Sequence, residues 1–237
     1  MQSPLANTPP VVKNLLIINI ICFLPFLLFG ETMVLQIYDL FAAHYFNSPL
    51  FKIWQPITYM FLHGGWMHII FNMFALYSFG IIIEYHMGSK RFFNFYFICG
   101  LGGIALQLLV QAIEVHNITG GFTIPDPALD SSYLHFGNKA QALYNIYHST
   151  MVGASGAIFG LLIAFGMLYP NTELMIMFIP VPVKAKYIIP VYVVLELFLG
   201  VKQFSGDSVA HFAHLGGGLI GFLLIKLWGL KRHDRYY

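Results

Sequence analysis

The chain has 237 residues, 58% of them hydrophobic and only 9% charged, with a formal charge of +2 at neutral pH. A soluble domain carries about one-quarter charged residues, so this composition, with a mean hydropathy of +0.71, belongs to a membrane protein. The small net charge, with no basic stripe beyond the short tail, speaks against a nucleic-acid partner.

Six apolar runs follow one another along the chain, over 15–29, 57–83, 92–113, 151–169, 187–201 and 209–230. Most approach the about 20 residues that a helix needs to cross a bilayer. The expected fold is therefore all-α, a polytopic bundle of six transmembrane helices forming one membrane-embedded domain over 1–237. The first run is preceded by one basic residue, Lys13, and followed by no A-x-A-like site, so it reads as a retained helix and not a signal peptide. The fifth run is the shortest, roughly 22 Å of helix against a hydrocarbon core of about 30 Å. Cys22 and Cys99 fall inside predicted spans and read as packing residues.

Charge placement supports six spans. With the N-terminus in the cytoplasm, one side holds Lys13, Lys90, Arg91, Lys184, Lys186, Lys226, Lys231, Arg232 and Arg235, and the other holds Lys52, Lys139 and Lys202. This asymmetry follows the positive-inside rule, puts both termini in the cytoplasm of a cell (plasma or inner) membrane, and requires the short fifth span. The loops differ in kind. Residues 30–56 contain "LQIYDLFAAHYF", suited to the interface, and 114–150 contain the turn-rich "GGFTIPDPALDSS". The inner segment "LMIMFIPVPVKAK" carries two prolines, and its sequence leaves open whether it is a dipping half-helix.

Polar residues inside the spans carry the chemistry. His68 and Asn72 on the second run, Ser155 on the fourth and His214 on the sixth all fall toward the external half, and these three helices run in the same direction. His68 and Asn72, four apart, share a helix face. In "GASGAIFG", Gly153, Gly156 and Gly160 offer small faces to a neighbouring helix, and Gly217 and Gly221 continue a bare groove from His214. Packing of these helices would bring His214 to Ser155, whose hydroxyl needs a neutral imidazole to become a nucleophile. Acyl transfer also needs oxyanion donors, which the Ser155 N–H, His68 and Asn72 can supply.

Bland readings compete with each of these. A serine in a membrane helix commonly packs and bonds to the preceding turn, and Trp66 suits an interfacial belt. His63 lies nearer the loop, and His211 competes with His214 as the base, although the phase of the glycine groove favours His214. Metal binding through His63/His68 or His211/His214, or a haem between histidines, is the rival class. No H-E-x-x-H occurs, and neither pair has an acidic neighbour. A transporter would be expected to place polar groups in both halves of its spans.

At these positions the chain resembles the rhomboid intramembrane serine proteases, over about 51–230. The motifs that carry the resemblance occur in order: H-x-x-x-N at His68 to Asn72, G-x-S-G at Gly153 to Gly156, and A-H-x-x-G-x-x-x-G from Ala213 through Gly217 to Gly221. The resemblance implies a compact six-helix, prokaryotic-type protein in which Ser155 is the nucleophile and His214 the base. Ser155 N–H, His68 and Asn72 would line the oxyanion hole, and Phe159 would stack on the histidine where the family also uses tyrosine. Glu84 and Gly88 match a structural E-x-x-x-G, whereas Trp54-Gln55 departs from the family's Trp-Arg. The implied partners are transmembrane protein substrates and the lipid bilayer, with no cofactor and no metal; the fifth run and the loop "VKQFSGDSV" would be moving parts. Glu196 is the only carboxylate clearly within a span, and nothing in its spacing places it against His214, so the expectation is a Ser-His dyad. A catalytically silent relative that binds membrane clients is the alternative, and such proteins usually lose the serine or the histidine.

Overall fold

A computed structural model describes residues 7–176, 179–202 and 210–232. Most of the loop 201–209 and the end of the basic tail therefore lie outside the described residues. The chain opens with α1 (Pro10–Leu28), where a proline at the first position pre-sets the helical φ, and α2 (Glu31–Phe41). After α3 (Gln55–Thr58) and a tight 3₁₀ turn, α4 (Trp66–Ala75) passes through a π-helical turn at Leu76–Gly80 into α5 (Ile81–Met87). Next come α6 (Ser89–Thr119), the short α7 (Ser131–Leu134), α8 (Ala140–His148) and α9 (Ser155–Leu168). A β-hairpin, β1 (Glu173–Ile176) and β2 (Ile179–Lys184), precedes α10 (Ala185–Lys202) and α11 (His211–Leu227).

Among the described residues, three helical stretches, Pro10–Leu28, Trp66–Met87 and Ser89–Thr119, are long and apolar enough to cross a membrane; α9 and α11 are apolar but shorter. Two expectations need correction. The fold is not purely α-helical, because the segment with two prolines forms the hairpin, with Leu174 opposite Val183 and Met175 opposite Pro182. Pro182 lacks the N–H a helix interior needs, and the β-branched Val181 and Val183 beside it suit extended backbone. The run 57–83 is not one helix either. It starts as α3, breaks at Gly64 and Gly65, and becomes a continuous rod only from Trp66.

The start of α1 is tied to the end of α5. The Glu84 carboxylate accepts Val11 N–H at 3.0 Å, Val12 N–H at 2.8 Å and the Ser89 hydroxyl at 2.7 Å. Amides at a helix start have no intrahelical acceptor, and the helix dipole favours an anion there. Gly88, at φ +79°, makes the sharp turn from α5 into α6. Glu84 and Gly88 thus hold three elements together.

The core centres on α6, α9 and α11, which pack closest to one another. A second, smaller cluster forms where 114–150 folds back onto 42–48, with Tyr45, Val115, Tyr133, Leu143 and Tyr147 buried together. The Asn47 amide oxygen accepts from the Tyr147 hydroxyl at 2.8 Å and from Ile124 N–H at 3.1 Å. The turn-rich loop is therefore ordered against the first loop.

Candidate active site

Ser155 stands at the first position of α9, where its N–H is one of the amides without an intrahelical acceptor. The strand-like segment before it is pinned on both sides. Met151 exchanges two backbone hydrogen bonds with Ala43 at 2.9 and 2.8 Å, and Gly153 N–H donates to the Tyr59 carbonyl at 2.9 Å. Tyr59 is itself fixed to α6 by its hydroxyl, which donates to the Gly100 carbonyl at 2.7 Å.

Gly153 has φ +123°, and a Cβ there would lie 2.7 Å from His68 Nε2 and 3.6 Å from Ser155 Oγ. The bare backbone therefore lets the His68 ring approach beside the serine. Gly64 N–H donates to His68 Nδ1 at 3.3 Å, which leaves the ring proton on Nε2, the nitrogen on the Gly153 side. Asn72 is buried on the same helix, but its amide donates to the His68 carbonyl at 2.9 Å. The structure brings His68 to the serine's neighbourhood and uses one of the two Asn72 amide protons within α4.

The glycines of α9 and α11 meet where the two helices cross. A Cβ at Gly221 would lie 2.8 Å from Gly160 Cα, one at Gly217 would collide with the Gly156 carbonyl, and one at Gly156 would sit 3.3 Å from the Ala213 carbonyl. That approach carries His214 to the serine, with Nε2 2.7 Å from Ser155 Oγ. Phe159, one turn into α9, stacks on the imidazole at 4.5 Å between centroids and 6° between planes.

The other face of His214 holds a group that spacing did not reveal. Its Nδ1 lies 3.0 Å from Glu196 Oε2, and His211 Nδ1 lies 2.6 Å from the same oxygen. This overturns the expectation that no carboxylate reaches the histidine. The available signal was the cost of a lone carboxylate in an apolar span, which demands a partner, together with two histidines one turn apart on the next helix. His211 thus bonds to Glu196, and the serine's partner is His214. Glu196, His211 and His214 also bring one ligand atom each within 4.8 Å of one another. These atoms already hydrogen-bond to each other, so a divalent cation could enter only by displacing the imidazole protons.

Gln55, which stands where the family's arginine is expected, is fully buried. Its amide donates to the Asp39 carbonyl at 3.1 Å and the Leu50 carbonyl at 2.9 Å, while the Trp54 indole donates to the Leu40 carbonyl at 2.8 Å. A neutral amide thus ties the first loop together. Trp66 is exposed at the start of α4 and packs edge-on to Phe23, whereas the His63 ring is buried 5.1 Å from that of His68.

An apolar helical bundle that closes a serine, an imidazole and a carboxylate into one chain of hydrogen bonds defines a polytopic membrane protein with a serine-histidine centre. The chain belongs to the rhomboid family, whose Rhomboid domain matches residues 50–230. It is 29% identical over 229 residues to the putative rhomboid protease YdcA of Bacillus subtilis, covering 96% of this chain and 92% of that protein. The rhomboid protease AarA of Providencia stuartii is 28% identical over 202 residues, 82% of this chain and 63% of its own. An uncharacterized mitochondrial rhomboid protein of Schizosaccharomyces pombe is 28% identical over 221 residues, 82% of this chain. The chain spans 56% of that protein's length, and 33% and 44% of two further relatives from Arabidopsis thaliana and Saccharomyces cerevisiae. Family and apolar helices together make it an integral membrane protein.

Proposed function

We propose that this protein is an intramembrane serine endopeptidase that cleaves transmembrane segments of other membrane proteins. The observation that carries this reading is the 2.7 Å contact between Ser155 Oγ and His214 Nε2, the distance at which a neutral imidazole can accept the hydroxyl proton. Ser155 Oγ bonds to the scissile carbonyl carbon as His214 takes its proton. The C–N bond then breaks, His214 returns the proton to the leaving amine, and water attacks the acyl-enzyme by the same relay. Ser155 N–H and His68 Nε2 donate to the oxyanion. Asn72 joins them through the amide proton that the His68 carbonyl does not take.

The relatives named as rhomboid proteases support the activity. The nine-to-three distribution of Lys and Arg supports six spans with both termini in the cytoplasm and a site opening to the external side of the cell membrane. Water reaches the site from that side, since polar groups at membrane depth persist only where they line protein or a wet cavity. A substrate helix must unwind to present its backbone, which favours small or helix-breaking residues near the cut.

Labelling of the detergent-purified protein with a fluorophosphonate tests the reading. Wild type labels, and both Ser155→Ala and His214→Ala abolish labelling. Undiminished labelling of Ser155→Ala would remove the proposed nucleophile.

A further inference from the structure

The feature outside the dyad with the most chemistry is the carboxylate shared by two histidines. Glu196 lies on α10, within a chain segment that is otherwise almost entirely apolar. Its side chain is 14% exposed, those of His211 and His214 are 8% and 12% exposed, and one oxygen, Oε2, receives both Nδ1 atoms. A carboxylate at membrane depth is expensive, and removing it to save that cost would take from the His214 Nδ1 the acceptor it has here.

Resting on the proposed Ser155–His214 chemistry, we infer that Glu196 is the positioning residue of a Ser155–His214–Glu196 triad, held in register by His211. The argument is one of tautomers. A neutral imidazole has one proton, and it serves Ser155 as a base only if that proton is on Nδ1. The carboxylate at Nδ1 accepts the proton there and leaves the Nε2 lone pair facing the hydroxyl 2.7 Å away. Phe159 stacking fixes the plane of the ring but cannot choose between its nitrogens, because both edges of the ring lie in that plane. During attack the imidazole becomes a cation, and the adjacent negative charge stabilises it. His211 occupies a second lone pair of Oε2 and so fixes the carboxylate against rotation, while drawing off part of its charge.

Among the described residues, the groups facing this centre include His211 from α11, Glu196 from α10, Ser155 from α9 and His68 from α4, with Cys99 of α6 packed at the Gly160 crossing. Of these, Glu196 and His211 act on Nδ1 from opposite directions. The test is the pH profile of cleavage of a transmembrane reporter in liposomes containing EDTA, where the acidic limb of kcat/KM reports the free base. Glu196→Gln keeps an acceptor oxygen but loses the charge. It lowers kcat about 100-fold or more, in line with loss of the acidic member of a serine triad, leaves KM unchanged, and moves the acidic limb to lower pH. Glu196→Asp restores the wild-type limb. His211→Phe leaves the carboxylate to His214 alone and moves the limb the other way, to higher pH, so the inference can still be tested if Glu196→Gln does not fold. Wild-type kcat and an unmoved limb in both Glu196→Gln and His211→Phe overturn it, as does loss of wild-type activity in EDTA, which would make the cluster a metal site. Failure of the underlying protease reading looks different, since wild type would then not cleave the reporter even without EDTA, or Ser155→Ala would cleave it as well as wild type.

Discussion

The helices α9 and α10 each bring one group to His214, and they are built on opposite principles. On α9, Gly156, Ala157, Ile158, Gly160, Leu161, Ala164, Phe165 and Leu168 are all buried, and glycines of α6 and α11 press on its backbone. On α10 only Ala185, Ile189 and Gly200 are buried, while Tyr187, Val191, Val194, Leu195, Leu197 and Val201 are exposed. Ser155 is fixed in the interior and the Glu196 carboxylate is delivered from the rim. Positioning of Ser155 is thus inseparable from folding, whereas that of Glu196 depends on how a peripheral helix seats against α9 and α11.

The largest effect that would test this contrast is expected at Gly217, whose missing Cβ lets α11 lie on the Gly156 carbonyl. Gly217→Val must part the two helices. Overpacking typically costs about 1–3 kcal/mol and occasionally more, and here the backbone itself is in the way, so the upper end is expected together with loss of fluorophosphonate labelling. Thermal unfolding in detergent measures the first and labelling the second. Retention of wild-type stability would mean that the seam is slack and the comparison empty.

A pair of leucine truncations sharpens the contrast. Leu161 on α9 is fully buried and Leu197 on α10 is 51% exposed. Leu161→Ala leaves a cavity and loses about 2–5 kcal/mol, while Leu197→Ala loses contact mainly with lipid and stays within about 0.5 kcal/mol of wild type. Equal losses would show that α10 is as firmly built in as α9.

The same contrast explains what was legible in the sequence. Ser155, His214 and His68 stood out because polar residues in apolar runs are conspicuous, and the Gly153 to Gly160 and Gly217 to Gly221 spacings indicated which faces would meet. The inward stripe of α10, Ile189, Glu196 and Gly200, has helical spacing too, but a helix that is apolar on all sides gives no phase from which to tell its lipid face from its protein face. Glu196 therefore remained unassigned until the packing of Ile189 against Gly166 and of Gly200 against His211 set the rotation of the helix. The hairpin at 173–184 was obscured for another reason, since apolar residues interrupted by prolines fit several backbone paths. The order of 114–150 depends on Tyr45 and Asn47 from a distant loop, which no local pattern could reveal.

A small expected change in stability is the one that bears most directly on the rim. A Cβ at Gly200 would lie 3.1 Å from His211 Cβ and 3.3 Å from the Phe212 ring, so Gly200→Val must push this end of α10 outward by a fraction of an ångström or more. Because α10 has few buried contacts to lose, unfolding is expected to shift by less than about 1 kcal/mol. The Glu196 carboxylate sits one helical turn away, however, and positioning errors on the ångström scale can cost about 100-fold in rate. Fluorophosphonate labelling should therefore slow by about 10-fold in a protein that melts almost like wild type. If labelling and stability fell together, α10 would be part of the rigid frame. If neither fell, the carboxylate would reach His214 without depending on how its helix is seated.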